Sequence, residues 1–439
     1  MLERMKQERL RAPGSDRTPM LLLATLLLIR LAMVAGYPLL VRVMPAWAWS
    51  NNDGYDTIAV NWVMTGTFAL EAGVPTATRL PLYPALIAAC HLVAGAAFPV
   101  LVMLLQAVLS TITGYALFRM TQDLFGRRAA VPALVLFMLH PQANNFVFRC
   151  ATETLFVFLV MMFLHSTVRF IRGNSRGDLV RSAAWLGLSL LTRQTLAPLA
   201  LLSVPLLLLW GVVHRHGVRH PFRSIGLAVA TVLLILTPWL ARNYARSGRI
   251  PVLQTWIGQP LYQGTHVSRH LPDFLRRKKT LTDLDQEALS VISHRTRVFL
   301  DGAAPEHRPI AQEIREDGFA RRVAWETLLE NPGAAVLRTL RNLVFAPVLQ
   351  MTWRSTAVLM LWNWPLLLLS FAGAARCFGR RRKAFLEALP VTIVFCYLLT
   401  VHSLVWPQAR YVLPGLLPFS AFAGLVLQRR EGAHEQAPL

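Results

Sequence analysis

Lysine is nearly missing from this 439-residue chain: Lys6, Lys278, Lys279 and Lys383 stand alone among 45 basic residues, and arginine supplies the rest. Acids are scarce as well, 23 in all, which leaves a formal charge of +22. The arginines are scattered between apolar runs and form no basic domain, which argues against nucleic acid as a partner. Cysteine is limited to Cys90, Cys150, Cys377 and Cys396, all in or beside apolar stretches. Their spacing is not that of a metal site, and they read as small packing residues. His266, His270, His294 and His307 show no HExxH or similar spacing, so they give no metal motif. No GxxxxGK(S/T) is present, nor a GxGxxG after a strand, which argues against ATP or a sugar nucleotide as direct substrate.

What the chain does have is apolar length. Hydrophobic residues make up 54% of it, with 12 tryptophans, and several runs reach the roughly 20 residues needed to cross a bilayer. The class is an all-α polytopic membrane protein, not a soluble enzyme. Arg4, Lys6, Arg9, Arg11 and Arg17 precede the first apolar run with no small-residue cleavage site after it, which reads as a retained first helix.

Arginine clusters orient the spans, because cytoplasmic loops collect positive charge. The basic N-terminus is placed inside, the first helix spans about Pro19 to Val41, and the loop from Asn51 to Pro84 falls outside. Of two apolar pieces, 82–97 and 98–118, the first is short and interrupted by His91 and Gly95, and is read as an outer juxtamembrane helix; the second crosses. Arg119, Arg127 and Arg128 are inside, a third helix covers about 129–141, and a fourth starts near Glu153 and ends at the inside cluster Arg169, Arg172, Arg176 and Arg181. Two short helices with Arg193 at their outer turn lead to the basic run His214 to Arg223, and a span over 224–240 follows. Residues 241–354 are far more polar and read as an external, partly helical region, with amphipathic stretches at 317–329 and 334–345 on the membrane surface or closing over a cavity. Three further pieces, 356–378, 384–402 and 411–427, complete about ten transmembrane helices with both ends inside. The domain plan is an N-terminal transmembrane module 1–240 containing a catalytic first external loop 42–97, the external region 241–354, and C-terminal helices with a tail, 355–439.

This topology places Asp53, Asp56 and Glu153 on one side of the membrane. A carboxylate there can take a proton from an attacking hydroxyl, and a second acid can orient an acceptor or hold a divalent cation. Each acid also has a structural reading: Asp53 as an N-cap or solvated loop residue, Asp56 and Glu153 as first-turn acids favoured by the helix dipole. Arg79, Arg193, Arg242, Arg246, Arg249 and Arg410 fall on the same outer side, against the inside bias. Anionic phosphate on a lipid is their natural ligand; snorkelling to headgroups is the alternative for any one of them.

The run DGYDTIA through TRLPLYP resembles the first external loop of the GT-C superfamily of membrane glycosyltransferases, the bacterial relatives of protein O-mannosyltransferases and of the aminoarabinose lipid A transferase. HPQANNFVFRCATETLF resembles the second external loop, LTRQT the arginine-containing turn, TPWLARNYARSGRIPVLQTWIGQPLYQGTH and ENPGAAVLRTLRNLVF the central external segment, and ARYVLPGLLP the C-terminal element. The resemblance implies transfer of one sugar from a polyprenyl-phosphate carrier to a hydroxyl acceptor on a glycan, lipid or protein, with inversion, at the outer face of a bacterial inner membrane. It makes Asp53 the general base with Glu153 assisting. Arg79, Arg193, Arg242 and Arg410 become candidates for the carrier phosphate, and Asp56, Tyr55 and Tyr83 complete the implied substrate contacts. Relatives differ in their need for a divalent cation, so a metal stays open, and no other cofactor is implied. A WWD-type motif and a large soluble C-terminal domain, features of the oligosaccharyltransferase branch, are not found in the sequence. A transporter or flippase for an anionic lipid-linked substrate is the competing reading; the lack of an internal repeat and the single long external segment weigh against it. A non-enzymatic anchoring protein would make the meeting of acids and arginines a coincidence.

Overall fold

The computed structural model describes residues 17–43, 53–201, 221–249, 253–302 and 308–428. Asn51, the basic N-terminal residues before Arg17, most of the His214 to Arg223 run, His307 and the tail beyond Gln428 lie outside them.

The described residues form helices and connecting turns apart from one small hairpin. In order come α1 (Thr18–Ala35), α2 (Tyr37–Val43), α3 (Tyr55–Thr65), β1 (Ala69–Glu71), β2 (Val74–Pro75), α4 (Leu82–Ala94), α5 (Phe98–Phe125), α6 (Arg127–Leu139), α7 (Pro141–Asn145), α8 (Glu153–Gly173) and α9 (Arg176–Leu190). They are followed by α10 (Pro221–Ser247), α11 (Gly258–Leu275), α12 (Leu281–Asp301), α13 (Pro309–Leu329) and α14 (Pro332–Phe345). The last are α15 (Trp353–Arg380), α16 (Arg382–Glu387), α17 (Leu389–Leu404), α18 (Ala409–Phe419) and α19 (Ala421–Leu427).

Among the described residues five helices are long and apolar enough to cross a membrane, or six if α18 and α19, bent by 50°, form one broken span. Among the described residues α17 is a further, shorter apolar helix. The lipid-facing sides of the long helices are visible in the exposed side chains of Leu28, Leu234, Leu361 and Leu368, which only a hydrocarbon environment leaves without cost. The shared core joins α5, α6, α8, α9, α15 and α17 to α19, with the Phe395 and Phe419 rings stacked at 4.4 Å. Arg30, inside the first span, is buried and donates to Asn144 Oδ1 at 2.9 Å, which ties α1 to α7.

The ends of the bundle differ in what they carry. At one end Arg172 meets Glu387 at 3.3 Å and Arg169 meets Asp178 at 3.4 Å. The other end carries α3, the hairpin and the external helices. Three boundaries move. The span expected to end at Leu240 continues to Ser247, through Pro238, since a proline is tolerated where neighbouring groups meet the freed carbonyl. The piece expected over 384–402 is two helices, α16 and α17, and 411–427 breaks at Ser420, just after Pro418. The hairpin, turning at Gly73 with φ 80°, has no counterpart in the helical reading.

The external helices are built by local signals and tertiary caps. Thr280 and Asp283 form a capping box at the start of α12, which satisfies two otherwise orphan amides. The side chain of Asn331 caps α14 and that of Thr352 caps α15. The amides of Ile257 and Gly258, at the start of α11, instead donate to Asp317 Oδ1 of α13, both at 2.6 Å. The exposed side chains Val336, Leu337, Leu340 and Val344 form one apolar stripe along α14, the pattern of a helix lying in a membrane interface.

Helix α11 presses against the turn between α17 and α18 so closely that a Cβ on Gly264 would sit 1.5 Å from the carbonyl oxygen of Val405. Gly264→Ala should force these backbones apart and destabilise the chain by about 1–3 kcal/mol. Thermal unfolding in detergent should show a lower midpoint, and an unchanged midpoint would contradict the close approach.

Candidate active site

Asp53 closes the turn before α3, and Gly54 makes that turn possible. Its φ is 74°, and a Cβ there would lie 2.5 Å from Leu70 Cδ2, so a glycine is required on both counts. The next motif residue pins the loop: Arg79 Nε donates to the Asp53 carbonyl at 2.8 Å. The Arg79 guanidinium lies 4.9 Å from the Trp256 ring centre and 5.8 Å from that of Tyr55. Burial, reinforced by Asp53, pushes the Tyr55 phenol up to about 12, so it stays a hydrogen-bond donor.

A buried carboxylate organises the other cations. Glu153, at the first turn of α8, is 1% exposed and accepts from Arg193 Nη2 at 2.6 Å. Arg193 Nε donates to Thr152 Oγ1 at 2.6 Å. The turn bearing Arg193 is itself fixed, with Leu82 N donating to Leu191 O at 3.1 Å and the Tyr397 hydroxyl to Thr195 O at 2.7 Å. Arg410, at the start of α18, stands 3.9 Å from Glu153 Oε1 and 3.9 Å from Asp53 Oδ2. Its guanidinium donates to the hydroxyl of Tyr411 and lies over that ring, and Tyr411 stacks in turn on His402. Residues from five separate segments thus meet at one end of the bundle.

They surround a cavity of about 1020 Å³. Its lining includes Asp53, Tyr55, Arg79, Arg193 and Arg410 from the sequence reading, together with Arg149, Trp256, Gln263, Asp285, His402 and Trp406, which that reading did not single out. Glu153 is not at the surface of this cavity; it lies behind the arginines, with Oε2 buried and unbonded. Three other candidates point elsewhere. Arg242 donates to the carbonyls of Thr76 at 2.7 Å and Phe68 at 3.3 Å. Tyr83 is fully buried, its hydroxyl 3.1 Å from Gln106 Oε1. Asp56 accepts from the Thr57 amide at 2.7 Å within its own first turn. None of the three lines the cavity. Among the described residues no three His, Cys, Asp or Glu side chains gather as cation ligands.

The likeness of this chain to the oligosaccharyltransferase of Archaeoglobus fulgidus in the apo form has a TM-score of 0.54 at 14% identity, covering 95% of this chain and 51% of that one. The chain has the GT-C fold. The same protein tethered to an acceptor peptide containing the NVT sequon gives 0.53 at 14% identity, with 94% and 49% covered. The chain therefore spans about half the length of these proteins. ArnT from Cupriavidus metallidurans in the apo state gives 0.39 at 16% identity, over 84% and 71%. Residues 75–241 match the family described as dolichyl-phosphate-mannose-protein mannosyltransferase. No curated protein gives a significant sequence match.

Within this GT-C fold the external region reaches the first loop through Glu313 of α13. Its carboxylate accepts from Thr76 Oγ1 at 2.5 Å, Ala77 N at 2.8 Å and Thr255 Oγ1 at 2.7 Å. This clasp holds the strand leading to Arg79 against the segment leading to Trp256. Asp285, on α12, closes the cavity from the external side. Burial pushes its carboxyl up to about 6, with Asp53 reinforcing the shift and Arg410 opposing it.

Two outcomes follow from these charges. Glu153→Gln leaves two buried arginines short of their shared counter-charge, and loss of one partner in a buried pair costs about 3–5 kcal/mol; the unfolding midpoint in detergent should drop well below that of wild type. Asp285 holds its proton more tightly in the folded state than in the unfolded chain, so folded stability should decline as pH rises from the ordinary value of 3.8 to about 6, the folded state binding more protons in that window. In infrared difference spectra a carboxyl band titrating near pH 6 should vanish in Asp285→Asn. It should move to lower pH in Asp53→Asn, where a negative neighbour is removed.

Proposed function

We propose that this membrane protein transfers a single sugar from a polyprenyl-phosphate carrier to a hydroxyl acceptor on a glycan, lipid or protein. The observation that carries this reading is the placement of Asp53 at a large cavity whose lining also holds Arg79, Arg149, Arg193 and Arg410. The match of residues 75–241 to a family described by a dolichyl-phosphate-linked mannose donor supports the carrier chemistry.

Asp53 accepts the proton of the acceptor hydroxyl as its oxygen attacks the anomeric carbon. The bond from that carbon to the phosphate oxygen breaks, the configuration inverts, and the polyprenyl phosphate leaves with one more negative charge. Help from a general base accounts for about 10² to 10⁴-fold. The larger share comes from the arginines, since preorganised charges aimed at a developing anion act strongly where water is excluded. Arg410 stands 3.9 Å from the carboxylate of the base and shares Glu153 with Arg193, and Arg79 is held rigidly by two rings and the Asp53 carbonyl. Glu153 is a positioning residue: it fixes both arginines from behind the cavity surface. By the same reading Tyr55 donates a hydrogen bond to substrate, while Arg242, Tyr83 and Asp56 shape the loop that presents Asp53 and Arg79. By this reading the site lies on the outer face, the periplasmic side of a bacterial inner membrane, which the arginine distribution in the sequence supports.

Asp53→Asn is the decisive variant. It should accumulate in membranes at the wild-type level and bind polyprenyl phosphate, yet lower transfer by about 10²-fold or more. Mass analysis of surface glycans and glycolipids from a deletion strain should show a loss of one sugar mass that wild type restores and the variant does not. Full restoration by the variant would overturn the role of Asp53, and an unaltered glycan profile in the deletion strain would favour lipid transport instead.

A further inference from the structure

The arginines account for only part of the cavity lining. A second part comes from the external helices and the turn before α18, and its chemistry is different. Gln259 and Gln263 lie one turn apart on α11, and Thr282, Asp285, Gln286 and Leu289 share one face of α12, at the spacing that brings side chains to the same side of a helix. Trp406 joins them from the turn that α11 contacts at Gly264.

Several of these groups have no partner among the described residues. Asp285 Oδ1 and Trp406 Nε1 are both buried and unbonded. Gln263 is 6% exposed, and its amide makes no hydrogen bond within the protein. A buried polar group left unpaired costs about 1–3 kcal/mol, so these two atoms, with the Gln263 amide facing the same part of the cavity, call for a ligand that satisfies them. The set offers carboxylate and amide oxygens as acceptors, amide and indole N–H groups as donors, and an aromatic ring. A phosphate presents only acceptors and would clash with Asp285. Neighbouring hydroxyls on a pyranose both donate and accept, and the ring's C–H face packs on an aromatic side chain.

We infer that Asp285, Gln263 and Trp406 form a subsite that reads the hydroxyl groups of a sugar ring, apart from the arginines that hold phosphate. This rests on the sugar-transfer reading above and assigns the residues that set its selectivity. The ring is that of the transferred sugar or that of a glycan acceptor. Asp285 is close enough to Arg410 and Asp53 to sense both charges, which puts the bound ring next to the reacting centre in either case.

The full chain in lipid nanodiscs can be titrated with polyprenyl phosphate and with polyprenyl phosphate carrying mannose, glucose or galactose, and separately with methyl pyranosides of the same sugars. Wild type should bind at least one sugar-bearing lipid about tenfold more tightly than the bare lipid, as a site that hydrogen-bonds hydroxyls discriminates by their presence. Asp285→Asn and Gln263→Leu should each remove most of that gain and leave bare-lipid binding no weaker than in wild type, which also shows that the variants fold. If the gain survives but binding of the methyl pyranosides falls in both variants, the subsite reads the acceptor's ring. Retention of both affinities in both variants overturns the subsite. Failure of wild type to bind the bare lipid sinks the carrier reading itself.

Discussion

Everything at the active end of this protein depends on one buried carboxylate that serves two guanidinium groups. Glu153 neutralises Arg193 at 2.6 Å and reaches Arg410 at 3.9 Å, and Arg410 reaches on to Asp53. Charges taken out of water need partners with good geometry, and here the pairing joins the start of α8, the turn after α9, the start of α18 and the first loop. The ion chain fixes them relative to one another, and so sets where the cations stand with respect to the base.

The chain also leaves an imbalance. Arg79, Arg149, Arg193 and Arg410 line the cavity, while the acids near them are Asp53, Glu153 and Asp285, and the last of these sheds much of its charge when the pH falls to about 6. Positive charge in a confined, poorly solvated space attracts an anion strongly. The imbalance is strongest where the loops of the membrane bundle converge and is softened toward the external helices, which contribute amides and indoles. On the proposed function, a lipid phosphate would therefore meet a different surface from the polar group attached to it.

How much of this was legible depends on contrast within the sequence. Asp53, Arg79, Arg193 and Arg410 stand out because each interrupts or borders an apolar run, where a charge is costly without a purpose. Tyr83 and Arg242 have the same sequence context, yet one side chain turns to Gln106 and the other to the carbonyls of Thr76 and Phe68. Sequence position fixes the element and not the direction its side chain takes. Asp285 sat unnoticed among Asp283 and Glu287, since a polar helix gives no contrast. Asp283 is consumed by its capping box and Glu287 pairs with Lys279, so the packing of α12 on α11 selects the face that matters. The membrane-length helices followed from apolar runs and α13 and α14 from amphipathic patterning, α11 and α12 were covered only as part of a partly helical region, and the short hairpin between α3 and α4 has too few residues to show a strand period.

The Glu313 clasp has an implication for how such proteins diversify. Its three donors lie in two segments distant in sequence, Thr76 and Ala77 in one and Thr255 in the other. The external helices are consequently not an interchangeable cap. A natural recombination or laboratory chimera that exchanged α11 to α13 for those of a relative would retain the geometry of Arg79 only if the incoming helix carried an acid at the Glu313 position and the resident segments kept their threonines. The amide of Ala77 would adapt to any side chain, so three residue identities, Glu313 on one side of the seam and Thr76 and Thr255 on the other, decide whether the halves are compatible.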